Sequence, residues 1–469
     1  MHHVGYFNRH FEDVIRRLCR DGHAIGLLFG PFPRKDLPEK YDPYSAAKAC
    51  LAGAANCEIG EMASPRGWRS NLLGATRALL NYINYLRPEH PSPGRAQTWA
   101  KQLPSFFRAV VKHRWVRNLL TSKTWQHMLR AVERATPPDP AILSWLQTEQ
   151  PDVVISSPFL MAHSSEVDYI KAAAALRIPT VVVVASWDNL TTKGVFHVLP
   201  DLLFVWNTAL AEEATRLYNV PPDRIVFTGA QAFDYWFQME ALRDRRTFCD
   251  QAGIEAARPF VLYLCSSTSI ASDETEFVKQ LRQSLSENPD SRSAQIVVRP
   301  HPVNPSIWDN FTAKGVAVWP EGGTASHTLE DRQDFYDSLY HSSAVVGVNT
   351  SALIDAVILD KPCLTVITDH HRSGQAELGH FQHLINGRFL ETAYSLSEAA
   401  SVVADILSGI DRKAARRREF VQNFVRPHGL TRPASETVCL AIELAGLQKN
   451  AEQINSAIMA AEPENKQAV

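Results

Sequence analysis

No Cys-x-x-Cys pair occurs in this sequence, and its seven cysteines are scattered and odd in number. That speaks against a disulfide framework and against a zinc site, and a reducing cytoplasm suits the thiols best. No apolar run approaches the roughly 20 residues that span a bilayer, and the opening MHHVGYFNRH lacks a signal-peptide core. Charge of one sign is missing as well. Lys and Arg number 48 against 50 Asp and Glu, a formal net charge of -2, so there is no global argument for a nucleic-acid partner. No internal repeat is found.

What is present describes a soluble globular protein: 45% hydrophobic and 21% charged residues in a chain of 469, too long for one ordinary core. The fold class expected is α/β, because short apolar runs alternate with helical patterns over most of the length. The stretch from Ala344 to Thr368 shows the unit best. A buried strand (Ala344–Val348) leads into the polar turn Asn349-Thr350-Ser351. A one-sided helix follows, with Leu353, Val357 and Ile358 at helical spacing and Asp355 on another face. Asp360-Lys361-Pro362 breaks that helix, and Cys363–Thr368 is the next strand. In such parallel units ligands bind beyond the carboxyl ends of the strands, so Thr350 and Ser351 are candidate donors to phosphate. Asp355 is placed for a ribose diol or, equally, for solvent.

From the start of the chain, Val4-Gly5, a helix over Phe11–Arg20 and a strand over Ala24–Phe29 make a βαβ opening whose first strand is short. The turn that carries Arg9 and His10 would face a cleft. Residues 44–134 read as helices inserted into this half, broken by Pro88–Pro93 and Pro137-Pro138. Within them Lys101–Arg134 holds eight Lys/Arg against one Glu, interleaved with Phe106, Phe107 and Trp115. This suits an anionic surface such as a membrane, or an amphipathic helix packed on its own domain. From Pro151 the alternation returns, with strands at Asp152–Ser156, Pro179–Ala185, Leu202–Trp206 and Ile225–Thr228. The loop Ser186–Gly194 carries Trp187, Asp188 and Asn189 at a strand end, where they serve either a cleft or an Asx turn and a core plug. A charged helix near Arg243–Arg246 divides the halves. The second half then runs through Phe260–Cys265 and the hydroxyl-rich turn Ser266-Ser267-Thr268-Ser269, suited to phosphate or to a helix cap. Gln295–Val298 follows and ends in Arg299-Pro300-His301-Pro302. The expected division is 1–245, 246–430, and a C-terminal helix with a polar, fraying tail over 431–469.

The Arg-Pro-His-Pro segment at a strand end, with Asn-Thr-Ser and a helical acid further on, resembles the donor-binding half of GT-B glycosyltransferase-like enzymes. It is similar in particular to bacterial sialyltransferases, CDP-glycerol glycerophosphotransferases and other surface-polysaccharide enzymes. Thr228-Gly229 followed by Phe233-Asp234 resembles the segment before the interdomain linker of that group, and Arg9-His10-Phe11-Glu12 the start of its first helix. The resemblance covers both halves and leaves out 44–134. It implies two Rossmann-like domains facing a cleft, with the helical insertion in the first. His301, Thr350 and Ser351 would hold donor phosphates and Asp355 would lie near the ribose. The activity implied is transfer of a sugar or glycerol-phosphate from a nucleotide-activated donor to a glycan or lipid-linked acceptor, with the donor as substrate and no resident cofactor.

The chemistry of such a site needs the leaving phosphate stabilised. No Asp-x-Asp pair of the kind used by metal-dependent sugar transferases occurs, and His370-His371 has no acid or cysteine at ligand spacing. Without a metal, the task falls to Arg299, His301 and the Ser266–Ser269 and Thr350–Ser351 turns. A general base from the first half is also needed. Asp188 is the first candidate and His163 the second, with Arg9, Trp187 and Asn189 toward the acceptor. A UDP-GlcNAc 2-epimerase shares the fold but uses a denser set of acids and histidines than is found here. A non-catalytic glycan-assembly protein is the reading from another class. The expected location is the cytoplasm, with peripheral contact at the inner face of the membrane through 101–134.

Overall fold

A computed structural model describes residues 7–30, 47–48, 51–54, 56–161, 164–324, 328–375 and 377–461, without the side chains of Asn8, Arg9 and Ser373. The expected strand at Val4-Gly5 lies outside the described residues. The chain forms two compact units, Met1–Asp234 with Phe424–Val469, and Tyr235–Asn423.

In the first unit β1 (Ile25–Phe29) pairs in parallel with β2 (Cys57–Glu61), Ile25 opposite Cys57 and Phe29 opposite Glu61. β2 falls inside the segment expected to be wholly helical. Its Cys57, Glu58, Ile59 alternation is the period-two signal of a strand, too short to stand out among its neighbours. A second sheet runs β3 (Val154–Ser156), β4 (Thr180–Val183), β5 (Leu202–Val205), β6 (Ile225–Phe227), all parallel. Between the two sheets in sequence lie the helices Trp68–Tyr85, Ala96–Lys101, Ser105–Val110, Arg114–Leu120, Lys123–Ala135 and Pro140–Glu149. The basic stretch is thus several short helices rather than one amphipathic rod. They are held from within. The Arg77 guanidinium donates to both oxygens of buried Glu133 at 2.8 and 2.9 Å and to both of Asp168 at 2.9 Å, while Lys171 reaches Glu133 at 3.1 Å.

The C-terminal segment is not a separate tail. Helices Ala434–Gly446 and Ala451–Ala460 bury Val438, Ile442, Ile454 and Ile458 in one core with Val14, Ile15 and Leu18 of helix Glu12–Arg20. Asn450 and Gln453 cap the last helix reciprocally, so the expected fraying does not hold through Ala461. The closing contact is Asp234, 1% exposed, which accepts from Arg426 at 2.8 Å and from the backbone N–H of Ala434 and Ser435 at 2.9 and 2.7 Å. It caps a helix that begins 200 residues later in the chain. No local pattern shows such a pairing, which is why the return falls at Phe424 rather than 431 and the division at Asp234 rather than 245.

The second unit is one six-stranded parallel sheet in the order β12-β11-β10-β7-β8-β9. The strands are β7 (Phe260–Leu264), β8 (Gln295–Arg299), β9 (Val316–Val318), β10 (Ala344–Gly347), β11 (Cys363–Val366) and β12 (Leu390–Ala393). β7 and β8 are buried along their whole length, as expected for Val, Ile and Leu runs covered by helices on both faces. Val261, Tyr263, Ile296, Val298, Val346 and Leu364 share a core with Leu281 and Leu285 of helix Thr275–Glu287. Both units are therefore α/β with parallel sheets.

Candidate functional site

The sheet of the second unit reverses its direction of growth between β7 and β10: β8 and β9 are added on one side, β11 and β12 on the other. The loops after β7 and β10 leave in opposite directions there, and the crevice they open is the ligand position of such sheets. The first loop brings Ser266–Ser269, the second Asn349–Ser351.

These loops are joined directly. Ser266, 2% exposed, accepts the Asn349 N–H on its Oγ at 3.4 Å. Its own N–H donates to Glu274 Oε2 at 2.8 Å, and Tyr263 O–H donates to Glu274 Oε1 at 2.8 Å. Burial pushes the Glu274 carboxyl up to about 7, against the pull of the Ser266 and Tyr263 hydrogen bonds. A third loop, the turn Asp369–Gly374 after β11, packs against the first. The Asn349 amide donates to Gly374 O at 2.7 Å, and a Cβ on Gly374 would collide with Ile270 O, so only glycine fits.

Ser266 is thus occupied in holding the frame. Ser267, Thr350 and Ser351 are half-buried. The Ser267 hydroxyl pairs with Ser269 at 2.9 Å, Thr350 Oγ1 accepts from Ala352 N–H at 3.3 Å, and Ser351 makes no capping bond to its helix. A hydroxyl that accepts from an N–H keeps its own proton to donate. His301, half-buried beyond β8, accepts Val303 N–H on Nδ1 at 3.2 Å, which assigns the ring proton to Nε2. β8 is the direct neighbour of β7.

Arg299 and Asp355 differ from expectation. Arg299 is 6% exposed, donates to Asp334 at 2.7 Å, Ser338 at 3.1 Å and Thr324 at 3.0 Å, and stacks on Phe335 at 4.7 Å. Burial lowers its pKa in spite of Asp334. It ties β8 to helix Leu329–His341 and is not presented to a phosphate. Asp355 is 3% exposed and accepts from the Trp236 indole at 2.7 Å, an inward anchor rather than a ribose contact. A carboxylate at that helical position reads the same in sequence whether it faces a ligand or an indole from a distant segment. Glu274, Asn349 and Gln375 were not foreseen as frame residues. Gln375 bridges Val348 O, Thr365 Oγ1 and Val366 O, each at 3.1 Å.

In the first unit the Ser186–Gly194 loop is built into the helical segment. Asp188 Oδ2 accepts from Thr192 Oγ1 at 2.8 Å and lies 3.6 Å from Lys193 Nζ, and Oδ1 lies 3.5 Å from the Asn189 amide. Both carboxylate oxygens are therefore in use within their own loop. Trp187 and Asn189 are buried, and Asn189 Oδ1 accepts from Ser186 N–H at 3.1 Å. These two are not exposed to an acceptor; they hold the loop. Tyr85 O–H donates to Lys193 O, and Gly194 sits so close to Asn81 and Leu160 that a Cβ would come within 2.8 Å of each. His163 lies outside the described residues, as does the side chain of Arg9. Among the described residues no group of three or more His, Cys, Asp or Glu is placed to hold a metal ion.

No protein-family model matches the sequence, and no curated protein matches it. Among solved structures the chain is similar to a UDP-GlcNAc 2-epimerase from Neisseria meningitidis bound to UDP-GlcNAc. That likeness has 10% identity and a TM-score of 0.49 over 94% of this chain and 97% of that one. It is also similar to a UDP-GlcNAc 2-epimerase from Methanocaldococcus jannaschii, at 14% identity and a TM-score of 0.43 over 69% and 83%. A glycosyltransferase from Rickettsia africae ESF-5 gives 12%, 0.40, 65% and 79%.

Proposed function

We propose that the unit Tyr235–Asn423 binds the phosphates of a nucleotide-activated donor at the reversal between β7 and β10. The chain would transfer a sugar or polyol phosphate from it to a glycan or lipid-linked acceptor in surface-polysaccharide synthesis. The observation that carries this reading is the junction of the two loops through Ser266 and Asn349, with the hydroxyls of Ser267, Thr350 and Ser351 left beside it. Preorganised O–H groups and His301 Nε2–H would stabilise the charge that develops on the leaving phosphate. The His-Pro and Asn-Thr-Ser motifs support the same assignment. The reading needs no resident cofactor and no metal.

The test is calorimetric titration with CMP, CDP, UDP, GDP and ADP in the presence of a chelator. One of these nucleotides is expected to bind. The double variant Ser267→Ala, Thr350→Val is expected to weaken it roughly tenfold, the loss of two neutral hydrogen bonds of about 0.5–1.5 kcal/mol each. Equal affinity in that variant would sink the assignment. Solvent exchange at sugar C2 without any acceptor would replace transfer by epimerisation, and binding without turnover would leave a non-catalytic protein.

The same reading places the protein at the inner face of a membrane. Phe106 and Trp115 are 70% and 68% exposed, and Lys101, Arg108, Lys112 and Arg114 are exposed with them. Among the described residues no helix is long and apolar enough to cross a membrane. Contact with anionic lipid would be worth about 1 kcal/mol per basic residue near the surface. Sedimentation with anionic vesicles, lost as salt rises and lost with Lys112→Glu plus Arg114→Glu, is the expected result. Indifference to vesicles at low salt would remove the membrane from the proposal.

A further inference from the structure

An open cavity of about 690 Å³ lies within the first unit, between the Arg87–Glu89 turn, the start of helix Lys123–Ala135 and the end of helix Thr208–Tyr218. Its size is in the range of small-ligand sites. Arg87, Lys123, His127 and Arg130 line it against one carboxylate, Glu89.

That carboxylate is already taken. Arg87 Nε donates to Glu89 at 2.8 Å, and its Nη1 reaches both Leu217 O at 3.2 Å and Asn84 Oδ1 at 3.5 Å. Arg87 thereby closes the carbonyl end of helix Thr208–Tyr218, the end that would repel an anion. Among the described residues neither Lys123 nor Arg130 has a carboxylate partner. Desolvation against the cavity wall lowers the pKa of Arg130, whose side chain still reaches solvent, and the like charges of Arg87 and Arg134 lower it further. His127 donates Nδ1–H to Lys123 O at 2.6 Å, which turns Nε2 outward from that bond. A solvated basic face spreads its charges apart. Here separate elements bring like charges to one concavity, where they repel each other until an anion enters.

We propose that this cavity binds a phosphate or diphosphate group. Lys123 and Arg130 would contact the anion and Arg87 would position it. The site is built by residues of the first unit alone and does not depend on the donor reading. The group could belong to a soluble phosphorylated compound or to a lipid-linked headgroup, and the chemistry of recognition is the same.

The probe is inorganic pyrophosphate, titrated calorimetrically into the full chain at low salt. Saturable binding is expected, weakening as salt rises. The double variant Lys123→Glu, Arg130→Glu is expected to lose at least tenfold in affinity. Should it fail to fold, Lys123→Gln, at an exposed position, carries the same direction of change. Vesicles containing phosphatidic acid that displace pyrophosphate assign a lipid phosphate; vesicles that do not displace it assign a soluble one. No pyrophosphate binding by the wild-type chain, or equal binding in the charge-reversed variant, overturns the proposal.

Discussion

Arg299 at the end of β8 and Arg130 beside the cavity of the first unit carry the same charge into opposite surroundings. Both are pulled below the ordinary arginine pKa, desolvation coming first in each case. For Arg299, Asp334 opposes that pull; for Arg130, Arg87 and Arg134 add to it. The lesson is that a motif position and a basic run exchange roles once partners are counted. The arginine in the motif is committed to architecture, because its two terminal nitrogens donate to Asp334, Ser338 and Thr324 of its own unit. The arginine in the unremarkable basic stretch is left with charge to spare, and spare charge in a concavity is what a ligand neutralises.

The sharpest test of that contrast removes the paired cation. Arg299→Met should destabilise the protein by about 3–5 kcal/mol, because it removes the three hydrogen bonds of a buried cation and leaves the half-buried Asp334 carboxylate with Arg243 as its remaining cation. Urea unfolding reads this, and a loss below about 1 kcal/mol would break the comparison.

Next comes a buried carboxylate with no cation beside it among the described residues. The Glu274 folded pKa, about 7, lies above the ordinary glutamate value of 4.5. Between those values the folded state holds the proton that the unfolded state has released. The group's contribution is therefore fully present below pH 4.5 and is lost as pH rises through about 7. Glu274→Gln should remove about 3 kcal/mol of pH dependence across that window. Thermal unfolding followed against pH checks the expectation, and an unchanged slope would contradict it.

The smallest effect belongs to Arg130, the cation with no carboxylate partner among the described residues. Arg130→Gln should leave stability within about 0.5 kcal/mol of wild type, or raise it slightly, since it relieves repulsion and breaks no ion pair. Parallel urea titrations of this variant and of Arg299→Met place the two arginines on one scale.

Most of the second unit was legible residue by residue. Its strands are runs of Val, Ile and Leu buried on both faces, and its turns are marked by Ser, Thr, Asn and Pro. The loops that carry Ser266–Ser267 and Thr350–Ser351 fall beside each other because β7 and β10 are neighbours at the reversal of the sheet. Chain order alone, with β8 and β9 between them, does not announce that adjacency. The helical segment was legible only as helices, since Arg77 finds Glu133 and Asp168 at separations no periodicity encodes.

By itself, then, the sequence determined the α/β class, the alternation of elements and the hydroxyl-rich strand ends, because each depends on residues within one turn or one strand. Tertiary structure alone decided which polar groups are already spent. Arg299 on Asp334, Asp355 on Trp236 and Asp234 on the helix at Ala434 are pairings across the fold, whereas Asp188 is spent on Thr192 and Lys193 of its own loop. A buried charge costs too much to leave unpaired, so the fold selects partners by space and not by sequence distance.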